Sequence, residues 1–330
     1  MRVLVTGGAG YVGSHTVKAL LERGDEVVVF DNLSQGRREL VLCEEFVLGD
    51  LLDPEALRRA FAGGPIDAVL HFAADTNIAR SLADPVECYR QNVVGSLCLL
   101  EEAIRHCIRY FVFSSSASVY GDPARLPIRE EDPKNPKTPY GRSKWFFEQV
   151  LEEKAARGIA SVSLRYFAAA GADPGLELGE WHDPETHLIP LVLEAALGRK
   201  DHVAVYGSDY DTRDGTCVRD FVHVSDLADA HVAALERLRQ GLPGGAYNLG
   251  TGVGYTVKEV VEACRRVTGR PIPVVEAPRR PGDPAALVAD IGKAQADLGW
   301  RPRHPDLEFI VTTAWEWLRT RDRRAGNSRG

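Results

Sequence analysis

Arg2-Val3-Leu4-Val5-Thr6-Gly7-Gly8-Ala9-Gly10-Tyr11-Val12-Gly13 decides how the first half of this chain folds. A short run of β-branched and apolar residues enters a glycine-rich loop, and a helical pattern begins near Tyr11. Gly8, Gly10 and Gly13 spell G-x-G-x-x-G, while Gly7, Gly10 and Gly13 spell G-x-x-G-x-x-G. In either register the glycines permit a tight turn and let the backbone approach a pyrophosphate. Its charge then sits at a helix N-terminus, where unpaired N–H groups and the helix dipole favour it. Any tight strand-to-helix turn can use glycine, so the loop needs context. A second strand over Glu26–Phe30 supplies it by ending at Asp31-Asn32. Alone, that pair reads as a strand-end turn. After a glycine loop, the Asp31 carboxylate can accept from the two ribose hydroxyls of adenosine and would repel a 2′-phosphate, so the pattern predicts an NAD site.

Working outward, short β-branched runs at Arg2–Thr6, Glu26–Asp31, Glu45–Gly49, Ala68–Phe72, Tyr110–Ser114 and Ala160–Tyr166 alternate with longer amphipathic segments. This is the signature of a Rossmann-like doubly wound α/β fold, a parallel sheet covered by helices on both faces. Val93, Leu97, Leu100 and Ile104 form one apolar stripe on a helix over Tyr89–His106. Thr138 and Pro139 suit the cap and first position of another helix. It carries Trp145, Phe146, Phe147, Val150 and Leu151, more apolar circumference than one core-facing stripe needs. Either this helix is deeply buried or its second face meets another subunit. Beyond about residue 168, Gly, Pro and Asp dominate 171–185, 206–215, 241–245 and 271–284. The expected organisation is a cofactor domain over 1–168 and a smaller, loop-rich α/β substrate domain over 169–330. The arginine-rich end, Arg319–Gly330, reads as a frayed, solvated tail.

Composition excludes several classes. Forty basic against forty-seven acidic residues leave a net charge of -7, unfavourable for wrapping a nucleic acid. No stretch is long and apolar enough to span a membrane, and the N-terminal run is too brief for a signal peptide. Cys43, Cys88, Cys98, Cys107, Cys217 and Cys264 contain no C-x-x-C pair and read as reduced core thiols of a cytoplasmic protein. The nine histidines show no H-E-x-x-H or similar spacing, so no metal is expected.

The strand Tyr110–Phe113 runs into Ser114-Ser115-Ser116-Ala117-Ser118, and Tyr140 and Lys144 follow four residues apart, on one helical face. A phenol with a pKa near 10 becomes a base at neutral pH only beside positive charge. A shift of about three units needs ~4 kcal/mol, within reach of a desolvated ammonium together with an oxidised nicotinamide. A serine hydroxyl at the strand end can hydrogen-bond the reacting oxygen, which completes a constellation for taking a hydroxyl proton as hydride leaves the same carbon. Individually, Tyr140, Lys144 and Ser116 read as packed or solvated polar residues. Downstream of a dinucleotide loop they read as catalytic.

These motifs resemble the extended short-chain dehydrogenase/reductase superfamily. The later stretches Leu164-Arg-Tyr-Phe167, His187-Leu-Ile-Pro190, Asp214-Gly-Thr-Cys-Val-Arg-Asp220, Tyr247-Asn-Leu-Gly-Thr-Gly252 and Arg279-Arg-Pro-Gly-Asp283 are similar to its UDP-hexose 4-epimerase branch. The resemblance implies tightly held NAD, a UDP-glucose or UDP-galactose substrate and a transient 4-keto sugar. It makes Tyr140 the base, Lys144 its pKa partner and nicotinamide-ribose anchor, and Ser116 the hydrogen-bond partner of the substrate hydroxyl. It places Gly7, Gly10, Tyr11, Val12, Gly13, Asp31, Asn32, Asp50, Leu51, Phe72, Ala73, Ala74, Asn92, Ser114 and Tyr166 around the cofactor. Phe167, His187, Leu188, Tyr206, Arg219, Arg280, Asp283 and Leu287 then surround the UDP-sugar, two arginines suiting a diphosphate because each planar fork can pair with its oxygens. A homodimer built on two helices per subunit is implied, as is a return of Phe221–Leu238 to the first domain. The chain departs from the branch at Ala168, where an asparagine is common, and at Thr76, where some members carry a lysine. Related dehydratases carry Thr-Asp-Glu where this chain has Ser116-Ala117-Ser118, so the carboxylates for eliminating water are missing. An epimerase of UDP-N-acetylhexosamine or UDP-pentose, and a non-catalytic NAD sensor, remain as alternatives.

Overall fold

The structure is a computed structural model, and it describes residues 1–155 and 158–327. In the first half, β1 (Arg2–Thr6), α1 (Tyr11–Glu22), β2 (Glu26–Asp31), β3 (Glu45–Leu48), α2 (Pro54–Ala62) and β4 (Ala68–His71) alternate as the periodicity requires. Then come α3 (Ile78–Ala83), α4 (Pro85–Tyr89), α5 (Gly95–Arg105), β5 (Tyr110–Ser116), α6 (Pro139–Ala155) and β6 (Ala160–Tyr166). The second half adds β7 (Ala168–Ala170), α7 (Leu188–Ala196), β8 (Val203–Tyr206), β9 (Val218–His223), α8 (Val224–Arg239), β10 (Gly245–Leu249) and β11 (Gly254–Thr256). It closes with α9 (Val257–Thr268), β12 (Val274–Ala277), β13 (Ala286–Leu287), α10 (Gly292–Leu298) and α11 (Leu307–Asn327).

A seven-stranded parallel sheet in the order β10-β6-β5-β4-β1-β2-β3 is the frame. Its inner strands are buried on both faces. Val3, Val5, Val27 and Val29 pack with residues of α1 and α8, while Leu4, Val28, Phe30 and Phe111 pack with α2, α5 and α6. The strand order reverses between β1 and β4, which opens a crevice at their C-terminal ends. A separate core joins α7, α9 and α11 to β7 and β9 through Val192, Leu193, Val260, Phe221 and Ile310. It forms the opposite wall of that crevice.

Four features differ from the sequence expectation. The second half returns to the sheet over more than Phe221–Leu238, because β10 pairs with β6 and α10 packs on α8 and β10. The helix expected over Tyr89–His106 is α4 and α5 joined by a π-helical turn at Arg90–Val94. That wider turn rotates the helix, so Asn92, Ser96, Leu99, Leu100 and Ala103 are buried while Ile104 is exposed and Val93 half-buried. Four cysteines are buried, Cys98 is half-buried, and Cys107, at the end of α5, is exposed rather than in the core. Instead of fraying from Arg319, α11 continues to Asn327; residues 328–330 lie outside the described residues.

Candidate active site

Gly7 leaves β1 with φ +74°, and a Cβ there would lie 2.5 Å from the Ala73 nitrogen, in the loop after β4. At Gly13 a Cβ would lie 2.2 Å from the Gly7 carbonyl oxygen. Glycine is therefore required at both positions for β1, its loop and α1 to pack this closely. Gly10 caps α1 without a side-chain hydrogen bond, and no acidic residue occupies the first turn. The N-terminal N–H groups of α1 thus point at the crevice without a side-chain anion to neutralise them.

Asp31 closes β2 with its carboxylate accepting from the N–H of Ala9 at 3.0 Å and of Leu33 at 2.8 Å. Burial pushes its carboxyl up while these two donors pull it down, and each oxygen keeps a lone pair for a ribose hydroxyl. Nearby, Asn32 donates to Asp50 at 2.8 Å. The cradle left by the glycines, the free helix terminus and the recessed carboxylate fit an NAD molecule.

Ser116 ends β5, and its hydroxyl accepts from the Ser118 N–H at 3.2 Å. Gly141 N–H donates to the Thr138 hydroxyl at 3.1 Å, which opens α6 at the expected cap. Tyr140 and Lys144 both face inward from α6 and are buried. Burial drives the Tyr140 phenol well above its ordinary pKa, Tyr166 adds to this, and hydrogen bonding to Ser116 opposes it. Lys144 is pulled down to about 7 by burial. Its Nζ donates to the Ser114 carbonyl at 2.9 Å and lies 5.8 Å from the centre of the Tyr140 ring. The Ser114 hydroxyl is in turn hydrogen-bonded to the Tyr166 phenol. Beneath this group, Ser115 donates to Glu148, which is clamped by the Arg165 guanidinium at 2.5 and 3.0 Å.

On the opposite wall, Arg219 pairs with Asp283 at 3.1 Å and Arg280 stacks on Tyr206 with its guanidinium 3.9 Å from the ring centre. One cavity of about 940 Å³ connects all of these features. It is bordered by Gly7, Gly10, Tyr11, Val12, Gly13, Asp31, Asn32, Asp50, Leu51, Phe72, Ala73, Ala74, Ser114, Ser116, Tyr140 and Tyr166, and across from them by Phe167, His187, Leu188, Tyr206, Arg219, Arg280, Asp283 and Leu287. Two residues named from the sequence lie behind its wall: Lys144 beneath Tyr140, and Asn92, whose amide brackets the backbone of Asp75 at 2.7 and 2.9 Å. Sequence reasoning missed Glu180, His182 and Lys200, which also border the cavity and come from the loop before α7 and the turn after it.

Residues 3–250 match the NAD dependent epimerase/dehydratase family. The chain belongs to that family. Among its relatives, a UDP-glucose 4-epimerase of Halalkalibacterium halodurans is 50% identical over 318 residues, covering 96% of this chain and 95% of that protein. The crystal structure of UDP-glucose 4-epimerase from Brucella ovis in complex with NAD superposes with a TM-score of 0.92 at 47% identity, covering 96% and 97% of the two chains. That of the Bifidobacterium longum enzyme with NAD+ and UDP gives 0.93 at 39% identity over 98% and 99%. The epimerase/dehydratase fold thus extends along nearly the whole chain, including the substrate wall beyond residue 250.

Proposed function

We propose that this protein is an NAD-dependent isomerase that interconverts UDP-glucose and UDP-galactose at C4 of the hexose. The observation that carries the reading is the position of the Tyr140 phenol and Ser116 hydroxyl in one cavity between the glycine cradle and the Arg219, Arg280 and Asp283 wall. Bound NAD supplies the hydride acceptor and donor for C4. Arg219 and Arg280 hold the diphosphate, and the Tyr206 ring and Asp283 receive the uridine. Ser116 hydrogen-bonds the 4-oxygen, and Tyr140 takes its proton in one direction and returns it in the other. Lys144, buried with its Nζ 5.8 Å from the centre of the Tyr140 ring, supplies in its protonated form the positive charge the phenolate requires. Phe167, Ala168 and Leu287 offer the hexose few polar partners, leaving the diphosphate as its tether while the 4-keto sugar turns its other face.

Purified protein supplied with UDP-galactose and no reductant is expected to form UDP-glucose until a constant ratio is reached, followed by chromatography of the nucleotide sugars. UDP-N-acetylgalactosamine and UDP-arabinose serve as parallel substrates. Retained NAD without interconversion of the UDP-hexose would instead support a sensor.

The homodimer rests on a second observation. Phe146 on α6 is 46% exposed and Val86 on α4 is 65% exposed, and a groove lined by Tyr89, Val93, Trp145 and Phe146, with Arg142 and Gln149 beside them, runs between these helices. Apolar surface of this kind fits a second copy of the chain meeting it about a two-fold axis. Light scattering at micromolar concentration is expected to give twice the 36.2 kDa chain mass, and the single mass would overturn the dimer. Unpaired buried thiols suit a reducing, cytoplasmic setting.

A further inference from the structure

Glu180, His182, Glu185 and His187 follow one another at alternating short spacings in the loop that leads into α7, and no metal was expected from their spacing. Folding brings one donor atom from each within 4.8 Å of all the others. A tetrahedral zinc site with bonds of about 2.0–2.2 Å has edges of roughly 3.4 Å. His182 Nδ1 lies 3.2 Å from Glu180 Oε1 and 3.7 Å from Glu185 Oε1, while His187 Nδ1 contacts the same Glu180 oxygen. We propose that these four residues bind one divalent transition-metal ion, with zinc as the best match to two imidazoles and two carboxylates.

Three further observations carry the assignment. His182 Nδ1 is buried and lacks an aligned hydrogen bond, its contact with Glu180 at 3.2 Å being an ion pair only when the imidazole is protonated. Glu180 and Glu185 have side chains only 6% exposed, and two desolvated carboxylates at this spacing need the positive charge that either protonated imidazoles or a metal ion supplies. The loop is also pre-set. Glu185 Oε1 accepts from the N–H groups of Thr186 at 2.7 Å and His187 at 2.9 Å, and the Glu180 carbonyl accepts from the Trp317 indole at 3.0 Å. These contacts fix the backbone of the loop that carries the four side chains. The mixed nitrogen and oxygen set argues against magnesium or calcium, which prefer oxygen alone. Glu180, His182 and His187 border the same cavity as Tyr11 at the start of α1, so an ion held there adds positive charge to the cavity that takes the diphosphate.

The test uses tag-free, full-length protein freed of metal by a chelator and then titrated with Zn2+ by calorimetry and with Co2+ by visible spectroscopy. One Zn2+ per chain and the intense visible absorption of tetrahedral Co2+ are expected. His182→Ala and Glu185→Gln should each weaken binding by more than the roughly hundredfold that loss of an outer hydrogen-bond partner costs. Circular dichroism and retained NAD establish that the variants are folded, and if one does not fold, the Co2+ spectrum of the unaltered chain decides. No saturable Zn2+ binding, a Co2+ spectrum equal to that of the free ion, or folded variants that bind as well as the parent would overturn the site and leave the cluster as imidazolium–carboxylate pairs. Metal binding is read without sugar turnover, so its failure is distinct from failure of the epimerase reading.

Discussion

Tyr140→Phe is expected to lower kcat for UDP-galactose by about a hundredfold or more, as loss of a general base does. The ring remains, so its packing against the Lys144 ammonium at 5.8 Å and the walls of the cavity persist. What disappears is the hydroxyl that burial holds protonated until positive charge and substrate arrive. Retained NAD and a KM within a few-fold of the parent should accompany the loss, because the removed atom acts on the proton and not on the diphosphate. A kcat within about tenfold of the parent would assign proton transfer to another group, with Ser116 the next to be replaced.

Glu148→Gln is expected to cost about 3–5 kcal/mol of stability, the range for leaving one member of a buried ion pair uncompensated. Arg165 and Glu148 have side chains only 4% and 5% exposed. Burial works against the guanidinium charge, but hydrogen bonding and attraction to Glu148 raise its pKa above the ordinary value. The same arginine donates to the Tyr120 hydroxyl at 2.9 Å and the Glu130 carbonyl at 3.2 Å, and Tyr120 donates to Asn248 on β10 at 2.7 Å. One pair therefore ties β6, α6 and the returning strand together against Ser115, the neighbour of Ser116 on β5. Urea unfolding followed by circular dichroism reads the loss, and a midpoint and slope equal to those of the parent would sink the prediction.

Much of the first domain was legible because its information is local. Alternating β-branched runs and amphipathic segments predict β1, β2 and β6 at their observed bounds, and the glycine loop and Asp31 need only the strand and helix beside them. Tyr140 and Lys144 share a face because four residues make about one helical turn. The returning strand Gly245–Leu249 was missed for the opposite reason. It is short, lies among turn residues and carries an asparagine, Asn248, in its buried part. That amide is tolerated because Tyr120 and the Ile128 carbonyl satisfy it from 128 and 120 residues away. The apolar stripe through Val93 and Ile104 does not coincide with the buried face, since an α-helical period cannot anticipate a π-turn.

By itself the sequence determined the Rossmann-like frame, the phosphate cradle and the chemistry available at Ser116, Tyr140 and Lys144, because each is written in residues a few positions apart. Only the tertiary structure decided which distant groups face one another. It set Arg219 and Arg280 across the crevice from α1, put Glu148 against Arg165, and gathered Glu180, His182, Glu185 and His187 around one point. Those juxtapositions depend on how separate elements pack and on which buried charges must be neutralised, and neither is carried by local periodicity.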